Sequence, residues 1–404
     1  MKAGWQTKTL DEACYFSNGL WKGDKAPFVN VGVIRNTNFT KEGALDDSDI
    51  AYLDVEIKKF EKRRLQFGDI ILEKSGGGPK QPVGRVALFD KMEGDFSFSN
   101  FTSAIRVRDN QELDFHFLHK FLYWTYLSGV TEGMQSHSTG IRNLDGNAYK
   151  GIEIAFPQLP EQQRIAGILD QAFDGIATAK ANFETNLQNA RALFGSHLQS
   201  VFTQRGEGWV EKHLKDVCEK ITDETHQTPT YFEEGVVFLS SRNVTSGIIN
   251  WNNIKYIDAK QHAEMHKRVA PRLNDILLAK NGTTGVAAIV DRDVTFDIYV
   301  SLALLRSKGE ILPQLLLHFI NSPVAKHQFN KRLKGVGVPN LHLEEIREVV
   351  ISFPKSLAEQ KAITSKLDDL REETQRLESL YQRKLAALDA LKQSLLHQAF
   401  SGTL

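Results

Sequence analysis

Phe67-Gly68-Asp69-Ile70-Ile71-Leu72-Glu73-Lys74, followed by Ser75-Gly76-Gly77-Gly78, returns 206 residues later as Leu273-Asn274-Asp275-Ile276-Leu277-Leu278-Ala279-Lys280, followed by Asn281-Gly282-Thr283-Thr284-Gly285. Each block reads as a short apolar strand that ends in lysine and a glycine-rich turn. The correspondence continues outward in both directions. Trp5, Leu10 and Cys14 reappear as Trp209, Leu214 and Cys218, shifted by 204. Asn143-Leu144 and Phe156-Pro157 reappear as Asn340-Leu341 and Phe353-Pro354, shifted by 197. Glu161-Gln162, Ile165, Leu169-Asp170 and Phe202 reappear as Glu359-Gln360, Ile363, Leu367-Asp368 and Phe400, shifted by 198. Ordered blocks whose offset drifts only by small insertions are a duplication, and a period near 200 residues makes each copy domain-sized rather than a solenoid unit.

Each copy has two parts. Residues 1–157 and 207–354 are strand-rich by pattern. Phe67 to Leu72, Val83 to Phe89, Ala104 to Val107, Val236 to Leu239, Asp275 to Leu278 and Val286 to Val290 are short apolar or alternating runs bounded by glycine, asparagine or aspartate. Helices are expected at Leu113 to Tyr126 and Leu312 to Asn330. Residues 158–206 and 355–404 each read as one long helix. Apolar positions run from Ile165, Leu169 and Ala172 through His197 and Val201 in the first, and from Ile363, Leu367 and Leu370 through Leu391 and Leu395 in the second. Their three-and-four spacing is a heptad-like seam, and no proline interrupts it. Some 40 residues at 1.5 Å each would make a rod of roughly 60 Å. Two such seams in one chain most simply bury each other; the alternative is that each helix packs only on its own domain. The fold class expected is α+β: two mixed α/β domains, two long helices forming an antiparallel coiled-coil spacer, and an internal pseudo-twofold repeat. The repeat is also cyclic. Phe202-Thr203 leads into Gly208-Trp209, the second helix ends at Phe400-Ser401, and the chain opens with Gly4-Trp5, so the termini are expected near each other.

Lys plus Arg and Asp plus Glu are each 50, a formal net charge of zero. That argues against a uniformly basic surface and leaves local basic patches. No apolar run is long enough to span a bilayer, and Met1-Lys2-Ala3-Gly4-Trp5 has no apolar signal core. Cys14 and Cys218 cannot form a disulfide framework and fit a reducing cytoplasm, where matching positions suggest the same buried packing role.

Two similar domains on a stiff spacer give one chain an approximate twofold axis, and dimeric DNA readers use such an axis to place two modules on half-sites a fixed distance apart. Here the modules have diverged, so the expected target is bipartite and asymmetric. Phe156-Pro157-Gln158-Leu159-Pro160-Glu161-Gln162-Gln163-Arg164-Ile165, its counterpart Phe353-Pro354-Lys355-Ser356-Leu357-Ala358-Glu359-Gln360-Lys361-Ala362-Ile363, the opening Trp209…Leu214-Lys215-Asp216-Val217-Cys218 and the loop Lys280 to Gly285 resemble the specificity subunits of type I restriction-modification systems, the HsdS family. The resemblance covers essentially the whole chain. It implies two target recognition domains (1–157 and 207–354) joined by two helices (158–206 and 355–404). It implies that the chain is not itself an enzyme. Its partners would be double-stranded DNA, two adenine-methyltransferase (M) subunits and ATP-driven restriction-translocase (R) subunits. It implies no cofactor on this chain, with S-adenosylmethionine, ATP and Mg used by the complex. One departure stands out: copy one reads Lys74-Ser75-Gly76-Gly77-Gly78-Pro79-Lys80 where copy two has Lys280-Asn281-Gly282-Thr283-Thr284-Gly285, so equivalent base contacts do not follow.

Phosphates are gripped by Lys, Arg, hydroxyls and backbone N–H groups, bases are read by Arg, Lys, Asn, Gln and hydroxyls, and glycine permits close backbone approach. This selects Lys74, Ser75, Gly76 and Lys80 in copy one and Lys280, Asn281, Thr283 and Thr284 in copy two; turn glycines beside solvent lysines are the alternative. A second candidate is the segment before each long helix, with Ser138, Thr139, Arg142 and Asn143 in copy one and Lys334 and Asn340 in copy two, although either asparagine could equally fix a turn. A third places Thr228, Arg242 and Asn243 in copy two against Arg35 and Asn36 in copy one, each after an apolar strand. The basic run Lys58 to Arg64 could meet phosphate, but a solvated helix face is the commoner explanation.

Several chemistries lack their residues. There is no Pro-Pro pair for an amino-methyltransferase tetrad, no Walker A sequence and no Gly-x-Ser-x-Gly elbow. His262 and His266 are four apart, but residue 263 is alanine, not the glutamate of a zinc protease, and they read as surface helix residues with no metal assigned. The competing readings are a stand-alone DNA-binding regulator, which predicts a basic chain that binds DNA alone, and an unrecognised nuclease or methyltransferase.

Overall fold

The computed structural model describes residues 4–78, 81–138, 141–204, 206–224, 228–244, 247–334 and 339–404. The chain forms two compact units, one of residues 1–182 with 383–404 and one of residues 183–382.

In the first unit the block that opened the sequence becomes the central strand Ile70–Glu73 of a four-stranded antiparallel sheet. It pairs with Thr102–Val107 on one side and Val86–Leu88 on the other, and Cys14–Asn18 extends the sheet. Ile70, Ile71 and Leu72 are all buried, so both faces of the strand are covered. The strand starts later than its apolar run suggests. Gly68 sits at φ +89°, and the Asp69 carboxylate accepts the Gln66 N–H at 2.8 Å, so Phe67-Gly68 is a capped turn. A three-stranded sheet follows, in which Phe28–Ile34 runs antiparallel to Ala51–Glu56 and parallel to Phe96–Phe98. Gln6–Thr9 pairs with Glu153–Phe156.

The second unit repeats this plan. Ile276–Ala279 is central among Cys218–Thr222, Leu302–Ser307 and Val286–Ile289. Val236–Leu239 lies antiparallel to Lys255–Ile257 and parallel to Phe296–Ile298. Trp209–His213 pairs with Val350–Pro354. Asn274 at φ +69° takes the place of Gly68, and Asp275 accepts the Arg272 N–H at 2.8 Å. The helix expected from Leu312 to Asn330 is instead two, Pro313–Ile320 and Pro323–Asn330. Pro323 has no N–H to continue the first helix, and Ser322 caps the second by accepting the Ala325 N–H at 3.2 Å.

The long helices run Leu159–Thr203 and Leu357–Ser401, 45 residues each. In the first unit they meet antiparallel: Arg164 reaches the Leu404 carbonyl, and Lys180 pairs with Asp389. In the second, Phe183 meets Tyr381 and Arg191 pairs with Glu378, again antiparallel. The seam changes register towards the ends. Leu198 is buried rather than His197, and Leu396 rather than Leu391, which is 47% exposed. There each helix joins a globular core as well as the other helix: Leu198, Val201 and Phe202 join the core around Leu214 and Phe319, which also holds Leu367, while Leu396, Ala399 and Phe400 join that around Leu10 and Phe117, which also holds Ile165 and Leu169.

The Glu-Gln motif at the start of each long helix has a mechanical explanation. Gln162 is fully buried; its Oε1 accepts the Asp114 N–H at 2.8 Å and its Nε2 donates to the carbonyls of Glu112 and Pro157, both at 2.8 Å. Gln360 does the same to Leu312, Glu310 and Pro354 at 2.9, 2.9 and 2.8 Å. One amide thus satisfies three backbone groups that would otherwise be buried without partners, and it fixes the helix to its own domain. Cys14 and Cys218 are both buried, and burial pushes each thiol up to about 12, which fits packing rather than reactivity.

Candidate nucleic-acid interface

In copy one the buried strand Ile70–Glu73 delivers Lys74 and then Ser75–Gly77, a short strand that joins the hairpin Gln135–Ser138/Ile141–Leu144. Asn143 pairs with Ser75 and Arg142 with Gly77 in this ladder, with a bulge between them. The Leu144 N–H donates to the Lys74 carbonyl at 2.8 Å, and Ser75 Oγ donates to Asn143 Oδ1 at 2.6 Å. Two segments about 70 residues apart in sequence therefore form one surface. Lys74 is half-buried, its ammonium donates to Asn18 Oδ1 at 2.8 Å, and desolvation draws its pKa down. Gly76 lies at φ +98°, and a Cβ there would stand 3.0 Å from Asn36 Nδ2, so both backbone and space call for glycine. Asn36 Nδ2 donates to Glu73 Oε1 at 3.2 Å. Glu73 is 1% exposed and carries the two-pronged grip of Arg85, at 2.8 and 2.9 Å. Together Asn36, Thr37, Glu73, Gly76, Gly77, Gln81 and Arg85 line a groove of about 400 Å³. The Arg35 guanidinium turns to Asp49, at 3.0 Å.

Copy two starts from the same place and diverges. The Leu341 N–H donates to the Lys280 carbonyl at 2.9 Å, matching Leu144 and Lys74, and Asn281 bridges Asn340, which also bridges Lys334. No second hairpin ladder is built here among the described residues; isolated bridges replace it. Lys280 is only 3% exposed, and its ammonium lies 2.8 Å from Asp223, the strand counterpart of Asn18. An ammonium bond to a neutral amide in copy one has become a buried ion pair. Asn281 Oδ1 and Asn340 Oδ1 are buried and accept no hydrogen bond among the described residues. Thr283 is exposed and Thr284 half-buried, on a turn whose glycines, Gly282 and Gly285, sit at φ +75° and +80°. A second groove, of about 420 Å³, is lined by Thr228, Tyr231, Ser241, Arg242, Lys255, Tyr299 and Ser301 among others. Ser301 joins it to the lysine loop: its Oγ accepts the Ser241 N–H at 3.0 Å and its carbonyl accepts the Lys280 N–H at 2.9 Å.

The pairing of Arg35-Asn36 with Arg242-Asn243 shifts by two residues. Asn243 corresponds to Asn38: each accepts the N–H three residues earlier at 2.9 Å and donates its Nδ2 to two backbone carbonyls of the following loop. Asn38 is 1% and Asn243 6% exposed, so both asparagines are built into the scaffold.

Residues 2–185 and 206–384 both match the family model of the type I restriction modification DNA specificity domain. The chain belongs to that family. The specificity subunit of the type I restriction enzyme EcoKI from Escherichia coli K12 is 22% identical over 402 residues, covering 95% of this chain and 83% of its own length. That of MjaVIII from Methanocaldococcus jannaschii is 26% identical over 254 residues, 58% of this chain and 59% of its own. Among solved structures, a chain from a type I R-M system described for its complex assembly and conformational transition superposes with a TM-score of 0.80 at 19% identity, covering 100% of this chain and 99% of that one. The HsdS subunit from Thermoanaerobacter tengcongensis superposes at 0.62 and 18% identity, covering 100% and 98%.

Within each specificity domain, then, the lysine loop and the segment before the long helix lie together: Lys74, Ser75, Gly76, Arg142 and Asn143 in one, Lys280, Asn281, Lys334 and Asn340 in the other. Asn36 reaches the first set, and Thr228, Arg242 and Asn243 line the groove beside the second. Lys80 and Thr139 lie outside the described residues, and Ser138 is described only as a strand residue paired with Ile141. Sequence reasoning passed over Asn18, Gln81 and Arg85 in copy one and Tyr231, Lys255 and Tyr299 in copy two. The signal for Asn18 was available, because it ends the strand that begins with the repeated cysteine Cys14, and copy two carries Asp223 directly after the matching strand Cys218–Thr222. The ammonium of Lys255, 3.8 Å from the Tyr231 ring centre, had no such signal.

Proposed function

We propose that this chain is the non-catalytic, sequence-reading subunit of a type I restriction-modification complex, with each copy reading one half of a bipartite, asymmetric double-stranded DNA site. The observation that carries the reading is the matched pair of surfaces. In both copies a buried strand ends in a lysine whose carbonyl takes the N–H of the leucine before the long helix, at 2.8 and 2.9 Å. Polar side chains of different kinds are then set around that shared joint. A common frame with unlike side chains is what two different half-sites require. Residues 1–157 and 207–354 act as target recognition domains, and 158–206 and 355–404 as the helical spacer.

In this reading Lys334, Arg242, Arg142 and the Thr283-Thr284 turn hold phosphates. Asn36, Ser75 and Asn143 read bases in one half, and Asn281 and Asn340 in the other. Two methyltransferase subunits dock on exposed faces of the long helices and adjoining domain surfaces, and restriction-translocase subunits join them in the cytoplasm. S-adenosylmethionine, ATP and Mg belong to those partners. The zero net charge fits a subunit that shares its DNA with basic partners. Binding to a site-bearing duplex at graded salt tests this. Each phosphate contact contributes a slope of about −0.9 in log affinity against log salt. The complex with methyltransferase is expected to bind tightly with a steep slope, and the chain alone weakly and without preference. Equal affinity and slope for the chain alone would favour the stand-alone regulator.

A further inference from the structure

We propose that copy two carries a site for one divalent transition-metal ion, of the zinc, cobalt or nickel kind, formed by His262, His266 and Asp297. The two histidines are one helical turn apart on Ala259–Met265 and its cap, so their rings share a face, with centres 4.7 Å apart. Asp297 comes from the strand Phe296–Ile298 beneath. It is 1% exposed, and its two oxygens lie 2.7 Å from His262 Nδ1 and 3.0 Å from His266 Nδ1. One donor atom from each of the three residues falls within 4.8 Å of the others.

The chemistry of this donor set points to a metal. A buried carboxylate needs compensating charge, and its ion-pair partners among the described residues are these two imidazoles alone. Neutral imidazole nitrogens are preferred by zinc, cobalt and nickel, not by calcium or magnesium, which take oxygen cages. Metal bonds of about 2.0–2.1 Å in a tetrahedron put donors ~3.3 Å apart. The two His–Asp separations need to open by about 0.3–0.6 Å, and the two imidazole donors, which lie within 4.8 Å of each other, need to settle at the same spacing, which rotation of the two partly exposed histidine side chains supplies. Three protein donors leave a fourth position for water. Copy one is a natural control: Ser97 stands where Asp297 does, with its Oγ bonded to the Arg63 carbonyl at 2.9 Å, and its helix Ile57–Glu61 contains no histidine. The ion would clamp elements that shape the copy-two groove. Gln261 on the same helix holds both backbone groups of Thr230, at 2.9 and 3.1 Å, and Tyr299 follows Asp297 by two residues.

The test uses the purified full chain stripped with chelator. Calorimetry with zinc chloride and visible absorption with cobalt(II) are expected to show one equivalent bound, the cobalt form giving the intense bands of four-coordination, and the melting temperature rising with zinc. The variant with both His262→Gln and His266→Gln should bind at least about 100-fold more weakly. Asp297→Ser, which installs the residue of copy one, should do the same should the double variant fail to fold. Absence of binding to the stripped native chain at millimolar zinc, or unchanged stoichiometry and affinity in the variants, would overturn the proposal.

Discussion

Asp69 takes Nε and Nη2 of Arg106 at 2.7 and 2.7 Å, and Asp275 takes the same atoms of Arg306 at 2.7 and 2.6 Å. A few residues further on the copies part: Lys74 reaches a neutral asparagine, whereas Lys280 is sealed onto an aspartate. The contrast separates two kinds of position. Where the chain fixes its frame, duplication has kept atoms in place across copies whose sequences have otherwise drifted. Where strands give way to loops, side chains and even ladder pairing have changed. The strand Ile141–Leu144 extends a sheet in copy one, and among the described residues only bridges at Asn340 answer to it in copy two.

Substitutions should respect that division. The largest effect is expected from Asp275→Ala, which takes away the two-pronged partner of Arg306, whose side chain is 14% exposed, leaves it the longer contact to Glu219 at 3.8 Å, and should cost about 3–5 kcal/mol in chemical denaturation. Asp69→Ala should cost less, because Arg106 is 40% exposed and water can take the place of its partner. Equal losses would mean that the two frames are not distinguished by solvent access. Acid should weaken copy one next. His119 is buried with Nε2 against the Gly43 carbonyl, and desolvation lowers its pKa to about 3. The unfolded chain takes up that proton near pH 6.5, so stability is complete above this value and is lost as pH falls towards 3, by about 2 kcal/mol at pH 5. Melting curves at pH 5 and 7.5 should show this loss in the native chain and not in His119→Gln. His318 in copy two is lowered in the same direction by burial, with Asp368 opposing it, so its contribution should be smaller.

Gln162→Leu and Gln360→Leu should each cost about 1–3 kcal/mol by stranding buried backbone groups, and by similar amounts in the two copies. Reading positions should behave oppositely. Asn143→Ala and Asn340→Ala should leave the melting temperature within a few degrees but each weaken discrimination at one half-site only, by about 10- to 100-fold. The smallest effect belongs to the exposed pairs between the long helices: Arg191→Ala or Lys180→Ala should change stability by about 0–1 kcal/mol.

The frame was legible in the sequence because it repeats and because burial imposes periodicity: Ile70 to Leu72 and Ile276 to Leu278 announce central strands, and uninterrupted seams announce the long helices. Periodicity failed where local chemistry outranked it, at the Ser322-Pro323 break and at the turn of Phe67-Gly68. The candidate reading surface was legible only in part. Lys74, Asn143 and their counterparts stand out by repetition, but nothing local reveals that Lys280 is buried on Asp223 or that Asn243 serves as a turn staple. Those facts depend on partners far along the chain. Asp297 is the same case: the spacing of His262 and His266 is visible, and the carboxylate that meets them is placed only by the parallel pairing of Phe296–Ile298 with Val236–Leu239.

The most direct test is a genome-wide map of methylated adenines in cells that hold the chain with its methyltransferase partner. The map would be compared with cells that lack the chain and with cells that carry Asn340→Ala. One split motif of two unlike halves should lose its methylation on deletion, and the variant should relax the sequence of one half while leaving the other intact. An unchanged map on deletion in an active system, or relaxation of both halves together, would contradict a chain whose two copies each read their own half of the site.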